Sequence, residues 1–322
     1  MPVDECDSRR SAGDEHRQGP NQGELITTDH EATGSADVMT RLPTWFRWGS
    51  RLRGVASTGG VLAIFIGTLA PLEAAPAIWF GGVVALSVGL ALCLHPGGPR
   101  IAPRPISSPV SGRWVAYNSP VDGLPSHRTH GYGQTYAIDL VYEPESGGRP
   151  KFGNGPVFRP ANDFPGFGQP IRAPADGRVV AVRNSARDHG SRSSWVAYAF
   201  MWIEGMVREL AGQRHLLGNY VILDLGDSCY AALVHLQRGS VTVRPGDEVH
   251  RYDVIGRCGN SGHSSEPHLH LQVMDHPWPL VAAGLPFTFV DVEIGKAGTT
   301  TGLPANEEAM NAAQPVPGDW RR

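Results

Sequence analysis

Two uncharged apolar stretches restrict most strongly what this chain can fold into. Residues 55–72 (VASTGGVLAIFIGTLAPL) and 76–94 (PAIWFGGVVALSVGLALCL) contain no acidic or basic side chain. Each approaches the roughly 20 apolar residues that a helix needs to cross a bilayer, and their glycine content is typical of membrane helices. Residues 51–95 are therefore predicted to hold one or two transmembrane helices, most simply a hairpin that turns at residues 72–75. The alternative is that one or both are buried core helices.

Arginines flank both stretches and bear on their orientation. Four precede the first stretch and two follow the second: Arg41, Arg47, Arg51, Arg53, Arg100 and Arg104. The positive-inside rule would place both flanks in the cytoplasm, whereas large domains are translocated largely regardless of flanking charge. Either the second stretch alone crosses the membrane or the rule is overridden, and the sequence leaves both arrangements open.

The remaining segments define the domain organisation. Residues 1–50 are rich in charged residues, glycine and serine without apolar periodicity, which predicts a disordered tail. Five prolines between residues 95 and 110 predict an extended linker over residues 96–111. Residues 296–322 are predicted to be a flexible C-terminal tail. These boundaries assign the folded domain to residues 112–295.

The domain at residues 112–295 has the turn content of a mainly β fold. The chain contains 40 glycines and 27 prolines, which favour turns and short strands over a helical bundle. Alternating and β-branched runs are separated by Asp-Gly, Pro-Gly and Ser-Gly pairs, which predicts an antiparallel β-sheet arranged like a barrel or sandwich. Residues 195–210 are the exception and predict one helix. Packing of this helix on the sheet is favoured over contact with a membrane or substrate.

Charge and cysteine content exclude two classes of protein. The net charge is -3 and no block of lysines and arginines occurs, so nucleic acid is not an expected partner. The four cysteines form no Cys-x-x-Cys pair, which excludes a zinc knuckle and leaves histidines and carboxylates as metal ligands. Cys229 and Cys258 either form a disulfide in an oxidising compartment or remain free thiols.

Histidines and one aspartate interrupt apolar strands. His268 and His270 are two residues apart, so in a strand they share one face and lie about 7 Å apart. His235 stands near the end of another apolar strand, and Asp139 lies between two aliphatic residues of a third. A carboxylate there is costly unless it is paired or coordinates an ion. Two imidazoles and a carboxylate form the ligand set of a catalytic zinc with a fourth position for water.

Several motifs occur in the order of a known family. An upstream histidine and Asp139 are followed by APADG at 173–177, by AALVHL ending at 236, and by PGD, VIG, GNSG and PHLH between 245 and 270. Across residues 112–275 the chain resembles the lysostaphin-type zinc endopeptidases, which cleave peptidoglycan peptides and have a duplicated hybrid motif domain. The resemblance implies a zinc metallopeptidase domain that requires Zn²⁺.

The resemblance also implies which residues bind the zinc. Asp139 and His270 are expected ligands, together with one upstream histidine. Family members commonly place that histidine four residues before the aspartate, whereas this chain separates the two by an insertion and offers His127 and His130. His127 is favoured because its Pro-Ser-His segment is similar to that of longer-spaced members, and His130 is the alternative.

The remaining histidines of the motifs are expected to be catalytic. His268 and His235 are implied to be a non-ligating pair that polarises the water and stabilises the oxyanion. An imidazole suits proton transfer near neutral pH, which makes His268 the candidate general base. Protonated His235 is expected to donate a hydrogen bond to the developing oxyanion.

These features together predict a membrane-anchored, zinc-dependent endopeptidase. It is expected to hydrolyse peptide crosslinks of bacterial cell-wall peptidoglycan during wall remodelling, at the cell membrane with an extracytoplasmic peptidase domain. Loops at residues 143–169 and 187–217 are expected to set specificity. One alternative is a catalytically inactive wall-binding or regulatory module of the same fold. A second is a structural membrane protein that binds glycans or lipids and whose histidines are incidental.

Overall fold

Two apolar helices open the part of the chain that the structure describes. The structure is a computed structural model that describes residues 52–93, 101–153, 155–295 and 299–313. Helix α1 spans Leu52–Leu69 and helix α2 spans Ala75–Cys93. The predicted disordered tail lies outside the described residues.

The two helices are antiparallel and pack through small residues. A Cβ atom added at Gly60 would lie 2.8 Å from the carbonyl oxygen of Gly82, and one added at Gly89 would lie 2.2 Å from Ser57 Oγ. Glycine permits this close approach, as in membrane helix pairs. By length and composition, Ala75–Leu92 is the one described helical window that could cross a membrane, and 11% of it is buried. The apolar helix Val55–Leu69 is shorter, and membrane insertion stays a prediction.

Short strands are the main regular secondary structure of the remaining described chain, which confirms the mainly β fold. The strands are β1 Arg104–Ser107, β2 Gly112–Tyr117, β3 Ile138–Tyr142, β4 Pro170–Arg172, β5 Gly177–Arg183, β6 Asn219–Asp224, β7 Tyr230–Leu236, β8 Glu248–Val249, β9 Val254–Arg257, β10 Leu269–Met274, β11 Phe287–Ile294, β12 Thr299–Gly302 and β13 Ala309–Ala312. The large sheet has the order β1-β11-β13-β2-β3-β10-β7-β6-β5-β8, with β12 beside β11, and β4 pairs with β9 separately. The sheet is mixed, because β1 runs parallel to β11.

The central strands separate two apolar layers. Strands β7 and β10 are almost entirely buried. Alternation along β7 sends Ala231 and Leu233 into the larger core cluster, which contains Trp114 and Phe289, and sends Ala232 and Val234 into a smaller cluster on the opposite face. The smaller cluster therefore lies on the sheet face that also carries the polar residues described below.

Two predicted boundaries need correction. Strand β1 lies inside the predicted linker 96–111, where Ile106 pairs with Phe289 of β11 and is buried. The predicted flexible tail is wrong for residues 299–313, because β12 and β13 pair with β11 and β2. Four-residue strands beside proline and glycine carry too little periodicity to be recognised locally. Their hydrogen-bond partners lie far away in the chain.

Helices and cysteines complete the domain. Helix α3 spans Trp195–Leu210, as predicted, and begins where the side-chain oxygen of Ser194 accepts a hydrogen bond from the Ala197 amide at 3.2 Å. Helix α4 follows at Gln213–Leu217. Cys229 and Cys258 are buried free thiols in the structure, which favours the second of the two alternatives for this pair.

Candidate metal centre

Neighbouring strands bring Asp139 and His270 together. Strand β10 pairs with β3 in a register that places His270 directly opposite Asp139. Ile138 and Leu140 face the larger core cluster, so the alternation of β3 sends the carboxylate to the other face. Three side chains of β10 and β3 therefore share that face: Asp139, His270 and Gln272.

A β-bulge turns His235 toward the same face. Asn219 of β6 pairs with Leu236 and the next residue, Tyr220, pairs with Val234, so His235 is an additional residue in its strand. Its φ angle is +63°. Strict alternation would have directed His235 into the larger core cluster, and the bulge redirects the side chain. Because Leu236 still contributes to that cluster, the bulge exposes an imidazole to the site without losing an apolar core residue.

Three side chains place potential ligand atoms close together. One ligand atom from each of His127, Asp139 and His270 lies within 4.8 Å of the others. His127 Nε2 is 3.1 Å from Asp139 Oδ2, and His270 Nδ1 is 2.8 Å from Asp139 Oδ1. His130 is outside this group, and its Nδ1 lies 3.1 Å from Thr135 Oγ1. The arrangement supports the choice of His127 over His130, which stays a prediction.

The tautomer of His127 follows from its second contact. Its Nδ1 lies 3.1 Å from Ser126 Oγ, and that hydroxyl donates its single proton to the carbonyl of Ala137 at 2.7 Å or of Gln134 at 3.2 Å. Ser126 must therefore accept a hydrogen bond from the protonated Nδ1 of His127. Burial, the largest influence, lowers the pKa of His127 and keeps the ring neutral. Its Nε2 lone pair then points at Asp139.

The tautomer of His270 follows from its contact with Gln272. Gln272 Nε2 donates to the carbonyl oxygen of Tyr132 at 2.7 Å, which turns Gln272 Oε1 toward His270 Nε2 at 3.0 Å. An amide oxygen only accepts, so His270 Nε2 carries the proton. In the neutral ring, the lone pair of His270 Nδ1 then points at the other oxygen of Asp139.

In these neutral tautomers, two imidazole lone pairs and a carboxylate face one another. Buried groups in this arrangement repel unless a cation lies among them. Two nitrogens and one oxygen are the donor set of a catalytic zinc site, and the partners of the outer ring nitrogens are those that orient metal ligands. The residues therefore fit a resident Zn²⁺.

The electrostatics of Asp139 agree with this role. Burial alone would raise the pKa of its carboxyl group, but the adjacent imidazoles of His127 and His268 hold the pKa well below its usual range. Asn118 Nδ2 also donates to Asp139 Oδ2 at 2.7 Å. Asp139 is therefore ionised at neutral pH and held in one orientation.

His268 and His235 border the ligand group. His268 Nδ1 contacts the carbonyl oxygen of Glu266 at 2.7 Å, and His235 Nδ1 contacts that of Ser261 at 2.9 Å. Carbonyl oxygens only accept, so both Nδ1 atoms carry protons and both Nε2 atoms are available to a substrate. His268 Nε2 is 3.6 Å from Asp139 Oδ1, and the His235 and His268 ring centroids are 4.8 Å apart. Burial, followed by the charges of His268 and His270, keeps the pKa of His235 well below its usual range.

Three supporting residues were not identified from the sequence: Asn118, Ser126 and Gln272. Gln272 was identifiable, because it lies two residues after His270 and therefore on the same strand face. Ser126 is adjacent to His127, but its role depends on the carbonyl groups of Gln134 and Ala137. Asn118 follows β2 and reaches Asp139 only through the pairing of β2 with β3, so no local pattern indicated it.

Replacing Gln272 is expected to weaken metal binding. In Gln272→Met the acceptor for His270 Nε2 is lost, and such supporting contacts contribute about 10- to 100-fold in metal affinity. Competition with a zinc chelator measures the change. Gln169→Met is the control. It removes a glutamine just before β4 that donates to the carbonyl oxygen of Pro165, and it should leave zinc affinity unchanged. Equal zinc affinity in the two variants would contradict the role of Gln272.

Two other histidines make folding stability sensitive to acid. His189 and His263 are half-buried. Burial lowers the pKa of both to about 4, assisted by the charge of Arg192 at His189 and of Arg208 at His263. Both unfolded-state pKa values lie near 6.5, so the unfolded chain binds more protons between these values. Stability should therefore fall as the pH drops from about 6.5 to about 4, by about 2–3 kcal/mol for each histidine.

Urea unfolding of the chain at pH values across this window measures the effect. The double variant His189→Gln/His263→Gln should show a flatter decline in unfolding free energy. His250→Gln replaces an exposed histidine and should follow the unsubstituted chain. If the unfolding free energy of the double variant fell just as steeply, the two histidines would titrate alike in the folded and unfolded states.

Comparisons with known proteins bear on the same segment. Residues 161–280 match the profile described as "Peptidase family M23". This range contains His235, His268 and His270 but begins after His127 and Asp139. "Peptidoglycan DD-endopeptidase ShyA" of Vibrio cholerae is 30% identical over 105 residues, which cover 30% of this chain and 24% of that protein. "Endolysin 2638A" of Staphylococcus phage 2638A is 40% identical over 72 residues, covering 21% and 15%.

One further relative and one solved structure are also similar to part of this chain. An "Uncharacterized metalloprotease" of Buchnera aphidicola is 39% identical over 59 residues, covering 18% of this chain and 15% of that protein. The chain thus spans a quarter or less of the length of these relatives. The catalytic domain of lysostaphin from Staphylococcus simulans superposes with a TM-score of 0.26 at 20% identity, over 46% of this chain and 74% of that chain.

Proposed function

We propose that this chain is a membrane-anchored, zinc-dependent endopeptidase of bacterial cell-wall peptidoglycan, in line with the match of residues 161–280 to peptidase family M23. Peptide crosslinks are the proposed substrate, in keeping with the name of the related DD-endopeptidase. The observation that carries the proposal is the convergence of one potential ligand atom from each of His127, Asp139 and His270, with two further imidazoles beside them.

The residues of this chain divide into metal-holding and proton-handling groups. His127, Asp139 and His270 would hold the zinc, which when bound acts as a Lewis acid on the scissile carbonyl and lowers the pKa of water. Ser126 and Gln272 orient the two ligand imidazoles, and Asn118 orients the carboxylate. Asp139 and His270 lie on strands, whereas His127 lies outside the strands and its ring contacts Ser126.

His268 is proposed to accept a proton at Nε2, and His235 is proposed to donate a hydrogen bond from Nε2. With Nδ1 protonated against the Glu266 carbonyl, His268 presents a basic Nε2 that accepts a proton from the attacking water. His235 in its neutral form also presents an unprotonated Nε2. Its proposed role as oxyanion donor therefore requires that Nε2 gain a proton during the reaction, after which it stabilises the developing charge.

A cleft beside the site offers room for a substrate chain. A cavity of about 380 Å³ is lined by Tyr117, Glu266 and residues 149–152 of the loop that was predicted to set specificity. Arg149 pairs with Glu266 at 2.6 Å and donates to Tyr117 Oη at 2.9 Å. Glu266 precedes His268 by two residues, so a peptide lying in this cleft would pass the catalytic imidazole.

The α1–α2 hairpin is the proposed membrane anchor. Because the two helices are antiparallel, the start of α1 and the end of α2 lie at the same end of the hairpin. If both helices cross the bilayer, the residues before α1 and the peptidase domain therefore lie on the same side. Action on the wall requires that this side be extracytoplasmic, which overrides the positive-inside pattern of the flanking arginines.

Bound zinc and wall hydrolysis test the proposal together. The full chain, purified in detergent, is expected to contain one zinc per chain by elemental analysis and to release new peptide amino groups from peptidoglycan. Zinc without hydrolysis would favour the inactive wall-binding or regulatory module. A chain without zinc, even after incubation with the metal, would refute the proposed site.

A further inference from the structure

Helix α3 presents an apolar face to solvent. The exposed side chains of its outer surface are Trp195, Val196, Phe200, Trp202, Ile203 and Val207. At 100° per residue these six positions fall within an arc of about 160°. Trp195 is 73% exposed. An exposed apolar patch of this kind marks a contact surface for a membrane or a partner.

The charged residues of α3 lie elsewhere on the helix. Glu204 accepts hydrogen bonds from Arg192 and from Arg208, the latter at 2.7 Å, and Ala197 and Met201 are buried against the domain. A surface helix of a soluble protein normally exposes its polar face. Here the polar positions are paired at the side of the helix and the outward face is apolar.

Neighbouring aromatic residues enlarge this face. Phe152 packs edge-on against Trp195 with ring centroids 5.0 Å apart, and Phe158 packs against Phe200 at 5.9 Å. Both phenylalanines are themselves about half exposed. We name the surface formed by α3, Phe152 and Phe158 the α3 face.

The α3 face is continuous with the proposed anchor. Arg53, at the start of α1, is buried, with its guanidinium 3.7 Å from the ring centroid of Tyr132 and its Nε 3.8 Å from Glu209 Oε1 in the last turn of α3. Tyr132 Oη donates to the same carboxylate oxygen at 3.2 Å. The hairpin therefore begins beside the C-terminal end of α3, where the surface of a bilayer that holds the hairpin would lie.

Basic residues border the α3 face. A cavity of about 430 Å³ is lined by Phe158 and Phe200 of the face and by four arginines with one carboxylate, Glu204; the arginines are Arg183, Arg187, Arg192 and Arg208. Arg187 is exposed. Cations beside an apolar helical face are characteristic of helices that lie in the interface of anionic membranes.

We propose that the α3 face docks on the anionic lipid surface of the membrane in which the hairpin is anchored. The inference rests on the proposed anchoring. It assigns the domain a second contact with the bilayer, with Trp195 and Trp202 at headgroup depth, where tryptophan is favoured. Two contacts hold the peptidase domain against the membrane and restrict its substrate to peptides close to the bilayer.

Tryptophan fluorescence in vesicles with brominated lipid tests the proposal. The full chain is reconstituted in phosphatidylglycerol-containing vesicles, with brominated or unbrominated acyl chains. Trp79 in α2 reports on insertion of the hairpin, and Trp195 and Trp202 report on docking. Trp195→Phe/Trp202→Phe keeps the face apolar while removing its reporters, and it should remove at least half of the quenching that persists in Trp79→Phe.

A matched pair of valines tests the face itself. In a Trp79→Phe background, Val207→Glu should reduce quenching at least twofold, whereas Val121→Glu, at a similarly exposed valine of the domain, should leave it unchanged. Phosphatidylcholine vesicles should also give less quenching. Quenching of Trp79 without quenching of Trp195 and Trp202 would overturn the docking proposal and leave the anchor intact. Absence of quenching at Trp79 as well would refute the anchoring on which it rests.

Discussion

Asp139→Ala is expected to abolish zinc binding and to lower kcat/KM for peptide hydrolysis by at least about 1,000-fold. Asp139 supplies the only carboxylate in the group of three that the described residues bring together, and it carries the negative charge that two neutral imidazoles lack. A Lewis-acidic metal contributes several kcal/mol to stabilising the transition state, which corresponds to a loss of this size. Elemental analysis and release of peptide amino groups measure the two effects.

The control for this variant separates loss of metal from loss of fold. Asp163→Ala removes a carboxylate that pairs with Arg159 at 3.5 Å and is substantially exposed, and it should retain zinc and activity. A cooperative thermal unfolding transition of zinc-free Asp139→Ala would show that the domain still folds without this carboxylate. Zinc should raise the unfolding temperature of the parent alone. A variant that keeps one zinc per chain would contradict the assignment of Asp139.

His268→Ala is expected to lower kcat by about 100- to 10,000-fold while zinc stays bound. General-base catalysis contributes an effect of this order, and His268 Nδ1 is already held by the carbonyl of Glu266. Because the ring lies outside the ligand group, zinc content should stay at one per chain. KM should change little, since the proposed role is confined to proton transfer in the transition state.

His250→Ala is the matched control, because His250 is an exposed histidine on the same domain. It should keep both zinc and activity. Loss of zinc in His268→Ala would show that His268 is a ligand and not a base. The roles of the four histidines at the site would then have to be assigned differently. Unchanged kcat would refute its catalytic role, and no activity in the parent chain would favour the regulatory alternative.

Comparison of the two variants gives more information than either alone. Asp139→Ala should lose metal and rate together, whereas His268→Ala should lose rate only. A structural membrane protein with incidental histidines would show neither pattern. The contrast therefore distinguishes an enzyme from both alternatives that the sequence left open.

The short-range features of the fold were accessible from the sequence. Alternation around Asp139 and the spacing of His268 and His270 identified polar groups on apolar strands, and the uncharged stretches identified the positions of α1 and α2. These properties depend on the two- and 3.6-residue periods of strands and helices, which neighbouring residues alone determine.

Other features required the tertiary structure. Strands β1, β12 and β13 exist because distant strands offer hydrogen-bond partners, and the orientation of α3 depends on which of its faces the sheet leaves free. The tautomers of His127 and His270 depend on Ser126 and Gln272, whose own hydrogen bonds reach residues up to 140 positions away.

By itself, the sequence determined the imidazole and carboxylate groups of the site, their placement on strands and the apolar hairpin. Side-chain chemistry and the local period of apolar residues depend on neighbouring residues alone. Only the tertiary structure decided that Asp139 lies opposite His270, that a bulge turns His235 out of the core, and that α3 exposes its apolar face. Strand register and bulges arise from pairing between segments far apart in the sequence. A one-residue shift in the pairing of a strand would send the side chains that it carries, such as Asp139 or His270, to the opposite face of the sheet.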